Sequence, residues 1–252
     1  MIKIAVTMLK GGVAKTTTAV TLSHYLSRQD LRVLLVDSDT QPHCSRSLGI
    51  DDQDSLARLL LGDSEPTEAI VEARPGLWLL SGGPELARVK RHIAREDLRP
   101  EEFLSKGMKA YEGYFDFVII DTGPGWDSLS VNVLIYADKV LCPVSLEVLS
   151  VDGLTGFTHN LEQIKEVKKD LQLDYILPTF MDGRVKKSAE ILASLEQHFP
   201  GRLCKPIRYS ARISESPSFG RTIWEMDSRN RAARDYADLG ERIRSDGEKR
   251  TG

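Results

Sequence analysis

Residues 2–29 constrain this chain more than any other stretch. An apolar run, "IKIAVTM" (2–8), leads into "LKGGVAKTTT" (9–18), and a helical pattern covers 16–29 with Ala19, Leu22 and Leu26 on one face. Strand, glycine-bearing loop, Lys-Thr and helix, in that order, suit a phosphate. Small residues let the backbone wrap it closely, and amide hydrogens at a helix N-terminus favour negative charge. Yet the general fingerprint G-x-x-x-x-G-K-[ST] is not met. Aligned on Lys15 and Thr16, its glycine positions fall on Leu9 and Ala14, while Gly11 and Gly12 sit inside the loop behind an extra cation, Lys10. In such a loop Lys15 would reach the β- and γ-phosphates and the Thr16 hydroxyl would bind Mg²⁺. The plain alternative is a lysine-containing turn, which the order of elements disfavours.

Five more apolar runs follow: "RVLLVD" (32–37), "LWLLS" (77–81), "FDFVIID" (115–121), "KVLCPV" (139–144) and "LDYILPTF" (173–180). Most are rich in Val, Ile and Leu without polar alternation, the pattern of parallel strands covered on both faces. Helical periodicity lies between and after them. It covers 153–169 (Leu154, Phe157, Leu161, Ile164, Val167), 186–199 and 229–244. The alternation implies an α/β fold, a doubly wound, mostly parallel sheet flanked by helices on both faces. No repeat, low-complexity tract or Pro/Gly-rich linker divides the chain, so a single domain over 1–252 is expected.

Ligands of such sheets bind at the carboxyl ends of strands. The run 32–37 ends in Asp37-Ser38-Asp39-Thr40-Gln41-Pro42. Two carboxylates two residues apart can face a metal and an attacking water, although an Asp-rich turn is common and the signal alone is weak. The run 115–121 ends in Asp121, followed by Thr122-Gly123-Pro124-Gly125. Apolar residues and then Asp form the Walker B arrangement, in which the carboxylate holds Mg²⁺.

Charge and cysteine content narrow the classes. The net charge of −3 by itself predicts no polyanion partner, but residues 184–234 hold eleven Lys and Arg against five Asp and Glu. That local excess is a possible electrostatic footprint; solvated helix faces are the blander reading. Cys44, Cys142 and Cys204 are far apart and form no C-x-x-C pair, so a reducing compartment is expected. No targeting segment is visible, no window reaches the ~18 apolar residues of a membrane span, and the ending "ERIRSDGEKRTG" lacks a membrane-binding face. A cytoplasmic protein is expected.

The segment Lys10-Gly11-Gly12-Val13-Ala14-Lys15-Thr16-Thr17 resembles the deviant Walker A motif, K-G-G-x-x-K-T-T, of the ParA/MinD class of ATPases. "VLLVDSDTQPHCS" resembles the D-x-D-P-Q first switch of that class and "FVIIDTGPG" its D-T-P-P second switch. "LCPVSLEVLSVDGL", "ILPTFMDGRVKKS" and "ISESPSFGRTIWEMDSRNRAARDY" resemble its later segments, the last of these specifically the ParA branch. The resemblance implies ATP and Mg²⁺ as cofactors. Lys10, Gly11, Gly12, Val13, Ala14, Lys15, Thr16, Thr17, Asp121, Pro143 and Met181 would bind the nucleotide. Thr16, Asp37 and Asp121 would hold the metal, and Asp39 would orient the water. Lys10 would act as the signature lysine, reaching the ATP of a partner subunit. Three departures stand out. Ala14 replaces a commoner glycine, with a small effect expected if its φ stays negative. Gly123 replaces a proline and is expected to loosen the second switch, and Thr40 replaces a proline in the first.

In the ParA branch the ATP-bound homodimer binds double-stranded DNA without sequence preference. By that resemblance Arg184, Lys186, Lys187, Arg208, Arg212, Arg221, Arg229 and Arg231 are the candidate DNA contacts. A ParB-like or equivalent adaptor would stimulate slow hydrolysis, and a plasmid or chromosome would be the cargo. ParA-like positioning of a protein assembly (a chemoreceptor cluster or microcompartment) is an alternative. A MinD-like membrane regulator is disfavoured by the polar ending. A metal-cluster ATPase is disfavoured because no cysteine is near Asp121 in sequence, and a dethiobiotin-synthetase-like enzyme by the ParA-like C-terminal stretch. The basic stretch "ARVKRHIAR" (87–95) is either a solvated helix face or a docking face.

Overall fold

The computed structural model describes residues 1–146 and 151–251; residues 147–150 and 252, and the side chains of 151, 152, 187 and 248–251, lie outside the described residues. Part of the family-like segment 141–154 therefore falls outside them.

Seven strands form one sheet: β1 (Ile2–Val6), β2 (Val33–Asp37), β3 (Val71–Arg74), β4 (Leu77–Leu80), β5 (Phe117–Asp121), β6 (Lys139–Ser145) and β7 (Leu173–Thr179). Their spatial order is β3-β4-β2-β5-β1-β6-β7. All neighbours are parallel except β3, which pairs antiparallel with β4. The six runs expected from sequence all appear, trimmed at their ends. Strand β3 was not expected. Its four residues, "VEAR", are half polar, and it forms an edge strand turned at Gly76, whose φ is +75°. A short edge strand carries little hydrophobic signal.

One core packs each face. Leu34, Val36, Val118 and Ile120 point to one side with Leu86, Val133 and Phe157; Val33, Leu35, Phe117 and Ile119 point to the other with Leu22, Leu26 and Tyr236. The period-two alternation along the buried strands thus feeds two apolar layers, as in a doubly wound fold. The helix α1 (Lys15–Ser27) is buried on nearly every side, not along one stripe. The helix Arg231–Thr251 packs on it, with the Tyr236 and Thr18 hydroxyls 3.1 Å apart, and from the short helix Ile223–Met226 the Trp224 indole N–H donates to the Thr21 carbonyl at 2.9 Å. The expected helix 153–169 is observed as Val151–Ile164. Val167 lies beyond its end and is 62% exposed, so its apolar spacing had no buried face to serve.

The insertion of β5 between β1 and β2 positions the site. Val6 is in register with Asp121, and Asp121 with Asp37, so three strands end at one level. The ends are cross-linked. The Ser38 N–H and hydroxyl both donate to the Asp121 carbonyl, at 2.9 and 2.6 Å, and the Thr122 hydroxyl donates to the Val6 carbonyl at 3.1 Å.

Candidate active site

The loops after β1, β2 and β5 enclose a cleft of about 520 Å³. Gly11, Gly12, Ala14, Lys15, Thr16 and Thr17 line it from the first loop, Asp39, Thr40 and His43 from the second, and Thr122, Gly123 and Pro124 from the third. Val13 is buried, and its carbonyl accepts the Thr179 hydroxyl at 3.2 Å, which ties the loop to the end of β7. Lys10 is exposed beside the cleft. The Lys15 ammonium donates to the Lys10 carbonyl at 3.0 Å. Helix α1 has no side-chain cap and no acid in its first turn. Its leading amides therefore have no side-chain acceptor and favour an anion.

Ala14 departs from expectation. Its φ is +67°, in the left-handed region, so the methyl group is strained there. Gly12, at φ +71°, bears the other left-handed turn of the loop at no such cost. An Ala14→Gly chain is expected to unfold at higher urea, by about 0.5–1 kcal/mol, because relief of strain exceeds the added entropy of the unfolded glycine. Equilibrium urea unfolding checks this.

Asp37 and Asp121 lie beneath the cleft floor and are fully buried. Asp37 accepts the Asp39 and Cys44 backbone N–H groups, each at 3.0 Å, and so shapes the second loop and starts the helix α2 (His43–Leu48). Asp121 Oδ1 is buried and accepts no hydrogen bond among the described residues. Burial pushes the Asp37 carboxyl well above its usual range, and Asp121 beside it adds to this. Burial likewise raises Asp121, to about 7, against the pull of Thr16 and Lys15. Burial lowers the Lys15 ammonium while Asp121 and Asp39 support its charge. An unpartnered carboxylate oxygen beside a threonine hydroxyl is a donor set that fits a hard divalent cation such as Mg²⁺.

Cys44 corrects a sequence expectation. Remote from Asp121 in the chain, its thiol lies 3.6 Å from Asp121 Oδ2. It is completely buried, however, and burial raises its pKa far above the usual thiol value, so it cannot bridge subunits through a surface cluster.

Two glycines let the second loop close in. A Cβ on Gly82 would lie 2.4 Å from the Asp39 carbonyl oxygen and 2.9 Å from Asp37 Cγ. A Cβ on Gly123 would lie 3.1 Å from the Asp39 carboxylate. Gly123 therefore admits the approach of the two switches; the expectation that it merely loosens one missed this contact. Gly82 was also missed, since "SGG" after a strand reads as an ordinary turn. Lys90, read only as part of the basic stretch 87–95, was not expected in the cleft. It lines the cleft and pairs with Asp127 at 2.7 Å.

A smaller cavity of about 260 Å³ adjoins the cleft, sharing Ala14, Thr17 and Phe180 and continuing to Ile207, Ile213 and Tyr236. Pro143 and Met181 line neither cavity. Pro143 is buried two residues before the end of β6, and Met181 is held by backbone bonds to Ile207 and Tyr209 while Phe180 takes the lining position.

The expected DNA contacts divide. Arg184 pairs with Asp182 at 2.7 Å, Arg208 with Asp235 at 2.6 Å and Arg212 with Glu215 at 3.8 Å. Asp182 and Asp235 fall just outside the basic window, so the sequence count overstated its free charge. Lys186, Arg221, Arg229 and Arg231 are exposed, with no side-chain partner among the described residues. The Lys187 side chain lies outside them.

A mostly parallel sheet with a lysine-threonine loop entering a helix, and carboxylates at the two neighbouring strand ends, defines a nucleotide-dependent ATPase of the P-loop kind. A family model described as "AAA domain" matches residues 1–173. The chromosome-partitioning ATPase Soj of Thermus thermophilus is 35% identical over 243 residues, covering 96% of this chain and 94% of that protein. The sporulation initiation inhibitor protein Soj of Bacillus subtilis is 30% identical over 250 residues, covering 97% and 98%. The solved structure of cobyrinic acid a,c-diamide synthase from Mycobacterium smegmatis, with bound ATP analogue and magnesium, superposes with a TM-score of 0.82. It is 29% identical, over 96% of this chain and 93% of that one. The chain belongs to the ParA/Soj family of partitioning ATPases. Among the described residues no helix is long and apolar enough to cross a membrane.

Proposed function

We propose that this ATPase is a nucleotide-timed switch: with ATP it dimerises and binds duplex DNA without sequence preference, and hydrolysis releases it. Lys15 and the first amides of α1 would hold the β- and γ-phosphates, and Asp39 would aim the attacking water in line. Thr16 would hold Mg²⁺, with Asp121 and Asp37 behind it. Bound there, the ion would neutralise charge on the transferring phosphate. Lys10 of a second copy would add positive charge only in the dimer, so a lone chain is slow. A ParB-like adaptor would speed hydrolysis, and a plasmid or chromosome would be the cargo, in the cytoplasm on the nucleoid. We take 1–252 as one ATPase domain, because the helix Arg231–Thr251 completes the core around α1.

The observation that carries the DNA reading is the set of exposed cations without a side-chain partner among the described residues around the short helix Ile223–Met226: Arg221, Arg229 and Arg231. A packed route joins them to the cleft. His43, at the start of α2, lines it, and Gly49, at the other end of α2, abuts Gly220 so closely that a Cβ on Gly220 would meet Gly49 Cα at 2.6 Å. Arg74 fastens the junction, donating to the Leu48 and Gly220 carbonyls at 3.1 and 3.0 Å and pairing with Glu225 at 2.7 Å.

Binding to non-specific duplex DNA with ATP, with ADP and with neither, at two salt concentrations, tests the reading. Salt-sensitive binding with ATP alone is expected. Arg221→Glu and Arg229→Glu should each weaken it while dimerisation persists, and should reduce the salt slope by about 1. No binding in any state would leave a partitioning ATPase whose carrier surface is something other than DNA.

A further inference from the structure

Lys90 lies in the basic stretch 87–95, read from sequence as a solvated or docking helix face, yet it lines the cleft. It stands on the helix Leu86–Ile93, whose entry is tied to the second loop: the Gly83 N–H donates to the Asp39 carbonyl at 3.0 Å. Its ammonium pairs at 2.7 Å with Asp127, which ends the third loop. That loop is in turn tied to the first, because the Gly125 N–H donates to the Leu9 carbonyl at 3.0 Å. The pair therefore joins the helix tied to the Asp39 loop to the end of the loop that carries Thr122 and Gly123. The Lys90 side chain is 29% exposed and that of Asp127 41%, so neither is locked in the interior.

Asp127 has a second role that makes it separable. It caps the helix Ser128–Tyr136: its carboxylate accepts the Ser130 N–H at 2.9 Å, and the Ser130 hydroxyl accepts the Asp127 N–H at 2.8 Å. The cap needs a side-chain oxygen and not a charge. Asparagine caps as well as aspartate.

We propose that Lys90 is a phosphate-binding residue of this chain, held by Asp127 until the terminal phosphate of a nucleoside triphosphate enters, and then exchanged onto it. The inference rests on the reading that nucleotide occupies this cleft. Lys15 and the α1 amides reach the β-phosphate as well as the γ-phosphate, and so serve ADP as well as ATP. Lys90 lines the cleft together with residues of the two switch segments, where a third phosphate would add charge. A lysine on a flexible stem can trade one oxyanion for another of higher charge with little rearrangement. Asp127 holds the cation before nucleotide enters, and so sets the threshold for the exchange. Lys90 therefore discriminates triphosphate from diphosphate within one subunit, before any partner contributes its Lys10.

The test is equilibrium binding of ATP and ADP, with Mg²⁺, to full-length wild type, Lys90→Gln, Asp127→Asn, the double variant and Lys15→Ala. Lys90→Gln should lose about tenfold in ATP affinity and stay within about twofold for ADP, the loss expected of one charge-assisted hydrogen bond. Asp127→Asn, its cap intact, should gain about threefold for ATP at low salt. That gain should vanish in the double variant, since the only cation it frees is gone. Unchanged ATP affinity in Lys90→Gln, with both nucleotides lost in Lys15→Ala, would overturn the Lys90 inference and leave the cleft assignment standing. Retained binding in Lys15→Ala would remove the cleft assignment and the inference with it. Equal losses of ATP and ADP in Lys90→Gln would also overturn it, as a non-selective cation.

Discussion

A Lys15→Ala chain is expected to fold normally and to bind ATP about 100-fold more weakly, with turnover at background. The physical reason is asymmetric. In the nucleotide-free chain the Lys15 ammonium donates to the Lys10 carbonyl at 3.0 Å, and burial disfavours its charge more than Asp121 and Asp39 support it. Removing it deletes a desolvated cation whose loss costs the fold little. With nucleotide present the same cation meets a polyanion in a partly enclosed cleft, where charge-assisted bonds are strong. Calorimetric ATP titration beside a urea melt separates the two effects. A variant that binds ATP like wild type would show that the first loop is not the phosphate site.

Asp39→Ala is expected to separate binding from chemistry. The Asp39 carboxylate accepts the Gln41 N–H at 3.2 Å and the Thr40 hydroxyl at 3.4 Å, and it faces Gly123 across the space a Cβ would fill. These contacts fix it at the meeting of the two switches without binding the phosphates. ATP affinity should stay within about threefold, while single-turnover hydrolysis falls about 10²–10⁴-fold, the range for a positioned acid–base group. Sedimentation with ATP should still show a dimer. A variant that remains monomeric would move Asp39 from water positioning to assembly. One that hydrolyses at the wild-type rate would remove it from the chemistry altogether.

Much of this was legible in the chain. Strands buried on both faces are continuous apolar runs, so β1, β2, β4, β5, β6 and β7 announced themselves, and the placing of Lys15, Asp39 and Asp121 just after or at neighbouring strand ends followed from them. Strand β3 was hidden, since an edge strand of four half-polar residues has no such run. Ala14 was misjudged because residue type does not reveal the sign of φ. The places of Gly82, Cys44 and Lys90 in the site were missed for one reason: each acts on a residue distant in sequence.

The basic quarter shows the same division. Among the described residues Lys186, Arg221, Arg229 and Arg231 have no side-chain partner, as the charge count implied, while Arg184, Arg208 and Arg212 were claimed by carboxylates that the fold brought to them. By itself the sequence determined the kind of sheet, the phosphate-type loop and the two acidic strand ends. Those depend on local patterns of polarity and residue size. Only the tertiary structure decided that β5 lies between β1 and β2, that Asp37, Cys44 and Asp121 share one buried space, and that Lys90 faces the cleft. Strand order, and every contact that depends on it, is set by packing of whole elements and is not encoded in any one segment.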